Sequence, residues 1–220
     1  MLTEKKAVIF DLDGTLMDSM SVWKDIDMEF LNENGYIVDY PALQKDIEGC
    51  SMLETADYFI ERFNMTETRE ELASHWNDMA FEYYSHKVQA KPGAVEFIKS
   101  LFDNDFKIAV ASSNSRVLIE AALKAHGLDR YINEIVTSDE VQKGKPAPDV
   151  YLEAAKRIDV SPVQCLVFED VVAGIESGKN AGMTTCVIYD DYSSADWKEK
   201  QLLADYNVKD YFEVLRLINE

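Results

Sequence analysis

A short apolar run that ends in two carboxylates dominates the start of this chain. Residues 7–10, Ala-Val-Ile-Phe, are followed by Asp11-Leu12-Asp13-Gly14-Thr15. A short apolar run bounded by a turn signal is typical of a buried strand in a parallel sheet. Gly14 tolerates the backbone angles of a tight turn after Asp13. The pattern therefore predicts that Asp11 and Asp13 stand together at the carboxyl end of a strand, where open α/β sheets bind ligands.

The paired carboxylates also constrain the chemistry of this strand end. Carboxylate oxygens are ligands that suit Mg²⁺, and protein-bound Mg²⁺ commonly binds phosphate groups as well. An ordinary acidic turn after any strand would show the same residues, so the pattern alone leaves both interpretations open. Motifs at other strand ends decide between them.

The second half of the chain alternates short apolar runs with helical patterns. Strands are predicted over residues 106–112, 134–138, 164–168 and 184–188. Helices are predicted over residues 116–126, 148–158, 171–181, 199–204 and 211–218. This order predicts an α/β fold with a Rossmann-like parallel sheet and helices on both faces.

Residues 16–90 break that alternation. They contain no convincing strand, and the spacing of their apolar residues predicts helices over residues 19–34, 52–63 and 67–87. We interpret this segment as a helical cap inserted into an α/β core formed by residues 1–15 and 91–220. The aromatic residues at helical spacing in the segment are assigned to packing: Trp23, Phe30, Phe59, Phe63, Trp76, Phe81 and Tyr84.

A polar motif, Ser112-Ser113-Asn114, ends the strand predicted over residues 106–112 and precedes a helix. A hydroxyl and free backbone N–H groups at a helix N-terminus can bind phosphate oxygens. A plain helix cap would use the same residue types, so the motif by itself favours the cap.

Lys145 lies between Gly144 and Pro146, with a second proline at position 148. Proline restricts the backbone, so the Lys145 ammonium can be held near a phosphate. Most lysines are only surface charges, and the rigid flanks of Lys145 weaken that interpretation.

Glu169 and Asp170 follow the strand predicted over residues 164–168. Charged pairs at strand ends are common as solvated edges. Beside Asp11 and Asp13, however, a second acidic strand end would complete an oxygen shell for one Mg²⁺.

Together, the four motifs resemble those of the haloacid dehalogenase superfamily of phosphohydrolases. The family's first motif, D-x-D-G-T, is matched by Asp11 to Thr15, its second by Ser112, and its third, G-K-P-x-P-D, by Lys145 and its neighbours. The fourth, E-D-x-x-x-G followed by A-G-M, is matched by Glu169, Asp170, Gly174, Ala181, Gly182 and Met183. The helical insert resembles the cap of the branch that contains β-phosphoglucomutase and phosphoglycolate phosphatase.

The resemblance implies a mechanism. Asp11 would attack phosphorus and form an aspartyl phosphate, while Asp13 would donate a proton to the leaving oxygen and later take one from water. Mg²⁺ would be held by Asp11, the Asp13 carbonyl and Asp170, with Glu169 supporting that shell. Ser112, the N–H groups of Ser113 and Asn114, and Lys145 would bind the transferring phosphate oxygens.

The resemblance leaves alternatives to a hydrolase. A mutase of the β-phosphoglucomutase kind places a histidine where this chain has Trp23, and an arginine in the cap loop near residues 49–52, where this chain has none. These departures favour a hydrolase. A non-catalytic binding protein is the third possibility, but it would be expected to lose an acidic motif residue, and none is lost.

Substrate selection is assigned to the cap, because its closure over the core completes the pocket. Val171, where the family often has serine or threonine, is expected to tune the site only slightly. The residues expected to contact substrate are Asp18, Trp23, Lys24, Glu48 and Gly49 in the cap and Arg116 in the core.

Composition bounds the partners and the location. The net charge of −19 argues against nucleic acid, which would repel the chain, and leaves a small phosphorylated metabolite as the expected partner. No stretch approaches the roughly 18 apolar residues of a membrane span. Three scattered cysteines predict a reduced cytoplasmic protein with buried thiols. Oligomeric state stays open, with a monomer favoured.

Overall fold

The computed structural model describes residues 1–219 and has eight strands in that range. They are β1 (Ala7–Phe10), β2 (Met17–Asp18), β3 (Gln89–Ala90), β4 (Lys107–Ser112), β5 (Glu134–Thr137), β6 (Cys165–Glu169), β7 (Thr184–Ile188) and β8 (Tyr206–Val208). Six of them form a sheet in the order β5-β4-β1-β6-β7-β8, with all neighbours parallel. The predicted α/β fold with a parallel sheet is confirmed.

Ten α-helices accompany the strands in the described residues. Four precede β3: α1 (Met20–Glu33), α2 (Tyr40–Ile47), α3 (Met52–Phe63) and α4 (Arg69–His86). Six belong to the core: α5 (Ala94–Asp103), α6 (Arg116–Ala125), α7 (Asp149–Arg157), α8 (Val172–Asn180), α9 (Trp197–Leu203) and α10 (Tyr211–Asn219).

Strand β1 lies in the middle of the sheet and shows why helices cover both faces. All four of its side chains are fully buried, and successive side chains of a strand point to opposite faces. Val8 and Phe10 join the apolar cluster that includes α5 and α10, whereas Ala7 and Ile9 join the cluster of α7. A continuous apolar run is what a parallel strand between two helical layers requires.

The helical insertion is confirmed, and two details of its prediction are wrong. It has a fourth helix, α2, and it begins and ends with strand residues, because β2 pairs antiparallel with β3. We call α1–α4 the cap. The division of the chain after residues 15 and 90 stays a prediction, and residue 220 of the predicted core lies outside the described residues.

Capping boxes define the starts of two cap helices. The Ser51 hydroxyl accepts from the Glu54 N–H, and the Glu54 carboxylate accepts in return from the Ser51 N–H. Thr68 and Glu71 repeat this arrangement at α4. Each box satisfies N–H groups that the first helical turn leaves unpaired, so α3 and α4 begin at defined residues.

Two predictions about burial are wrong in part. Phe81, assigned to packing, is exposed. Of the three free cysteines, Cys165 and Cys186 are buried, but Cys50 is only half-buried. None of the helices in the described part of the chain combines the length and apolarity needed to cross a bilayer.

Candidate active site

Three neighbouring strands, β4, β1 and β6, bring the predicted site residues together at their carboxyl ends. Asp11 follows β1, and its N–H donates to the Phe168 carbonyl of β6 at 3.0 Å. Carboxylate oxygens of Asp11, Glu169 and Asp170 all lie within 4.8 Å of one another, and all three residues are buried. The two acidic strand ends therefore form one cluster.

Lys145 lies inside this acidic cluster. Its Nζ is 2.7 Å from Asp11 Oδ1 and 2.6 Å from Glu169 Oε1. Burial lowers the pKa of Lys145, but the attraction of the Asp11 and Glu169 carboxylates outweighs it, so the net pKa is raised. The Tyr151 hydroxyl donates to the same Glu169 oxygen at 2.5 Å. Glu169 therefore orients Lys145 as well as adding charge to the cluster.

Two glycines of the motifs leave space for these carboxylates. A Cβ on Gly174 would overlap the Glu169 carboxyl group, and a Cβ on Gly14 would overlap that of Asp170. Gly14 also has φ of 73°, a left-handed conformation that glycine adopts without strain. The acidic cluster requires glycine at both positions.

The cluster has the properties of a divalent cation site. Burial raises the pKa of Asp11 to about 7, and Lys145 opposes this rise. Burial and the neighbouring Glu169 raise the pKa of Asp170 well above its usual range. A divalent cation among these carboxylates would favour their ionised forms, and an all-oxygen donor set suits a hard cation. The residues present therefore fit a hard divalent cation.

Asp170 is held by side chains from three other segments. Thr15 Oγ1 donates to its Oδ1 at 3.0 Å, and Ser193 Oγ donates to its carbonyl oxygen at 3.0 Å. Lys200, which is 1% exposed, donates from Nζ to the same carbonyl oxygen at 2.6 Å. Neither Ser193 nor Lys200 was predicted from the sequence. Nothing in the local pattern marks Lys200 of α9 as buried, or Ser193 in the preceding loop as part of the site.

Asp13 has different surroundings from Asp11. Ser19 Oγ donates to its Oδ1 at 2.5 Å, the Tyr84 hydroxyl donates to the same oxygen, and Asn114 Nδ2 donates to its Oδ2 at 2.8 Å. Partial burial raises the pKa of Asp13, and these hydrogen bonds oppose the rise. All three donors are neutral groups. The two carboxylates of the first motif are thus held by different chemistry.

The packing assignment of Trp23 and Tyr84 was incomplete. Trp23 Nε1 donates to the Tyr84 hydroxyl at 2.5 Å, so the two aromatic residues form a polar chain that ends at Asp13. Tyr84 is fully buried. Helical spacing identified both residues as inward-facing, but it carried no information about where their polar atoms point.

The predicted phosphate-binding residues lie beside the cluster and bond to one another and to the cap. Ser112 Oγ accepts from the Asn114 N–H at 3.2 Å, and Ser113 Oγ donates to the Gly49 carbonyl at 3.1 Å. Gly49 therefore touches the core at this point. The assignment of Ser112, Ser113, Asn114 and Lys145 to phosphate binding stays a prediction.

The remaining predicted substrate residues differ in placement. Glu48 is half-buried, and burial raises the pKa of its carboxyl group. A hydrogen bond from the backbone N–H of Ala173, at the start of α8, partly opposes this rise. Asp18 and Lys24 are exposed. The Arg116 guanidinium donates to Glu140 Oε1 at 2.6 Å and to the Ile135 carbonyl at 2.7 Å, which fixes it at the side of β5. Their contact with substrate stays a prediction.

Comparison with known proteins identifies the family of this chain. The family model of haloacid dehalogenase-like hydrolases matches residues 8–188, from β1 to the end of β7. The chain belongs to this family. An Arabidopsis thaliana bifunctional riboflavin kinase/FMN phosphatase is 38% identical over 176 residues, covering 80% of this chain and 46% of that protein. A phosphorylated carbohydrates phosphatase of Thermotoga maritima is 30% identical over 183 residues, covering 81% and 82%.

A solved structure shows the same fold. The β-phosphoglucomutase of Clostridium difficile superposes with a TM-score of 0.78 at 23% identity, covering 94% of this chain and 91% of that one. The predicted membership among family phosphatases, in the branch with a helical cap, is confirmed. The chain is accordingly a hydrolase of the phosphatase kind.

Proposed function

We propose that this chain is a Mg²⁺-dependent phosphohydrolase that cleaves a small phosphomonoester through an aspartyl phosphate on Asp11. The observation that carries the proposal is that Asp11 and Asp13, two residues apart, lie in different surroundings. Asp11 lies beside Lys145 in the acidic cluster, and Asp13 lies among neutral donors outside it. When two nearby carboxyl groups lie in different environments, one can act as the nucleophile and the other as the general acid and base.

Two half-reactions follow from that placement. In the first, Asp11 forms a bond to phosphorus as the ester oxygen leaves, and Asp13 gives that oxygen its proton. In the second, water attacks the phosphorus of the acyl phosphate, Asp13 takes the water's proton, and phosphate leaves Asp11 ionised again. Asp13 thus ends each turnover in its starting protonation state.

The other residues bind charge. Asp11, the Asp13 carbonyl and Asp170 would hold Mg²⁺, with Glu169 supporting, and the ion would supply charge neutralisation where an anionic nucleophile meets an anionic phosphate. Lys145, Ser112 and the N–H groups of Ser113 and Asn114 would bind the phosphate oxygens. Lys145 is already oriented for this role by Glu169 and Asp11.

The relatives suggest two candidate substrates. The names of the two related phosphatases point to FMN and to phosphorylated carbohydrates. Gly49 lies close to the core, since a Cβ there would be 3.0 Å from Ala173 Cβ and 3.1 Å from the Lys145 carbonyl. At this point the cap loop lies directly on the core. Both classes of ester are therefore tested.

Phosphate release from a panel of esters, with and without Mg²⁺, tests the proposal. The panel comprises β-glucose 1-phosphate, other carbohydrate phosphates, glycolate phosphate and FMN. We expect Mg²⁺-dependent release that Asp11→Asn abolishes and that the exposed control Asp103→Asn retains. Formation of glucose 6-phosphate with little free phosphate would show a mutase instead. Release that survives in Asp11→Asn would contradict the assigned nucleophile.

A further inference from the structure

We propose that Tyr84 is a positioning residue through which the cap places the Asp13 carboxylate for proton transfer. The inference rests on the proposed function, because it assigns a partner to the acid and base of that reaction. Tyr84 lies near the end of α4, 71 residues from Asp13 in the chain, and its hydroxyl donates to Asp13 Oδ1. Contact between these residues therefore depends on the packing of the cap against the core.

The direction of the Tyr84 hydroxyl proton is fixed by its neighbours. Trp23 Nε1 lies 2.5 Å and Asn114 Nδ2 lies 3.1 Å from the Tyr84 oxygen. An indole nitrogen and an amide NH₂ group can only donate. Both therefore take the acceptor sites of the phenol oxygen, and the single hydroxyl proton points to Asp13.

The orientation of Asn114 is fixed in the same way. The Ser115 N–H donates to Asn114 Oδ1 at 2.7 Å, so the amide oxygen faces the backbone and the NH₂ group faces the site. From there Nδ2 reaches both Asp13 Oδ2 at 2.8 Å and the Tyr84 hydroxyl. The carboxylate of Asp13 is held at both oxygens, by a core residue on one side and a cap residue on the other.

The position of these groups in the molecule makes the Tyr84 contact consequential. Tyr84 is 0% exposed, so solvent does not compete for its hydroxyl. Helix α4 packs against α6 of the core, while Trp23 comes from α1, so two cap helices support the phenol. Removing the hydroxyl would leave Trp23 Nε1 without its acceptor and would release Asp13 Oδ1 from one of its two donors.

Dependence on the leaving group separates a positioning role from a merely structural one. An alkyl phosphate needs a proton on its departing oxygen, whereas p-nitrophenolate leaves without one. The experiment compares kcat/KM for p-nitrophenyl phosphate with that for the alkyl phosphate cleaved best. This parameter reports the steps up to release of the alcohol, so slower hydrolysis of the phosphoenzyme does not enter it.

For Tyr84→Phe we expect kcat/KM for the alkyl ester to fall by about 10- to 100-fold, part of the roughly 10²–10⁴-fold that general acid catalysis contributes. The value for p-nitrophenyl phosphate should change by less than about twofold, since its leaving group needs no acid. Tyr83→Phe is the matched control, because Tyr83 is the neighbouring half-buried tyrosine of α4 and lies against Lys87. It should leave both values unchanged.

Trp23→Phe gives a second test that keeps the phenol. It removes the Nε1 donor behind Tyr84 while keeping an aromatic ring at position 23, and it should shift the ratio of the two kcat/KM values in the same direction by a smaller factor. If thermal melting shows that Tyr84→Phe does not fold, the Trp23→Phe variant tests the positioning role of Tyr84 in its place. An unchanged ratio in the folded variants overturns the inference and leaves the hydrolase intact. A wild type that releases no phosphate from either ester overturns both.

Discussion

The ammonium of Lys145 lies 2.7 Å from the carboxylate of Asp11, and both side chains are buried. Lys145 is also 2.6 Å from Glu169, so one cation stands between two anions in the interior. Separating such a group from its partners leaves charges with neither water nor an ion to stabilise them. The ion pairs of Lys145 therefore stabilise the fold, in addition to the phosphate-binding role proposed for this residue.

Lys145→Met should accordingly lower both stability and activity. Removing one partner of a buried ion pair costs about 3–5 kcal/mol, because the remaining carboxylates stay buried and unpaired. Urea denaturation measures the loss in free energy of unfolding. Lys143→Met, which removes an exposed lysine two residues away, is the control and should be close to wild type. Equal stability of the two variants would contradict a paired, buried Lys145.

Asp27 gives the cap a dependence on pH. Burial raises its pKa to about 6 from 3.8, although the Tyr40 hydroxyl donates to it at 2.9 Å. Because the folded state holds the proton more tightly than the unfolded state, the contribution of Asp27 is most favourable below pH 4. It is lost as pH rises through about 6.

Asp27→Asn should therefore be more stable than wild type at neutral pH. The shift of about 2 pKa units corresponds to an advantage of about 2–3 kcal/mol at pH 7 that disappears near pH 4. Urea denaturation across this pH range measures it. The exposed Asp25→Asn on the same helix removes the same charge and should show no such trend. An advantage that is constant with pH would show that Asp27 does not titrate in this range.

Lys200→Met should destabilise the loop that supports Asp170. The Lys200 ammonium donates to the carbonyl oxygens of Asp170 and Ser193, and both acceptors would lose that donor in the variant. Ser193 Oγ still donates to the Asp170 carbonyl, so the main cost is the half-buried Ser193 carbonyl, which is left without this donor. A loss of about 1–3 kcal/mol is expected. In thermal melting, the exposed control Lys198→Met should have the melting temperature of the wild type. A Lys200→Met variant that melts with it would show that the ammonium is dispensable.

Gly174→Ala tests the close approach of α8 to the acidic cluster. Alanine normally stabilises a helix interior by up to about 1 kcal/mol relative to glycine. Here the added Cβ would overlap the Glu169 carboxyl group, so destabilisation and loss of activity are expected. Denaturation and phosphate release measure the two effects. Gly182→Ala, whose Cβ meets nothing within 4 Å, should keep full activity despite its backbone strain. A stabilised, active Gly174→Ala would contradict the geometry.

The sequence predicted the strands of the sheet well where apolar runs ended in turn residues. Strand β7 was predicted at its observed bounds, and β4 and β6 were within one residue at each end. These runs are buried on both faces, so their composition alone marks them. Strand β8 was missed, because Tyr206 and Asn207 are exposed at the edge of the sheet. Helix α5 was not predicted either.

The site was predictable where it follows strand ends and unpredictable where it depends on tertiary packing. Asp11 and Glu169 directly end or follow neighbouring strands, and the parallel register brings them together. Tyr84 and Lys200 reach the site from helices far along the chain, and each looks like an ordinary member of its helix. Their roles arise from the placement of the helices, which local sequence patterns do not specify.

The short pairing of β2 with β3 has a mechanical consequence. The chain passes between core and cap twice, and Met17 and Ala90 pair where the two passages run side by side. The Lys91 N–H adds a bond to the Leu16 carbonyl at 2.8 Å. These two connections between core and cap are thus hydrogen-bonded to each other. The two ends of the cap are therefore anchored to the core at one place and cannot shift independently of each other, which helps to keep Tyr84 in register with Asp13.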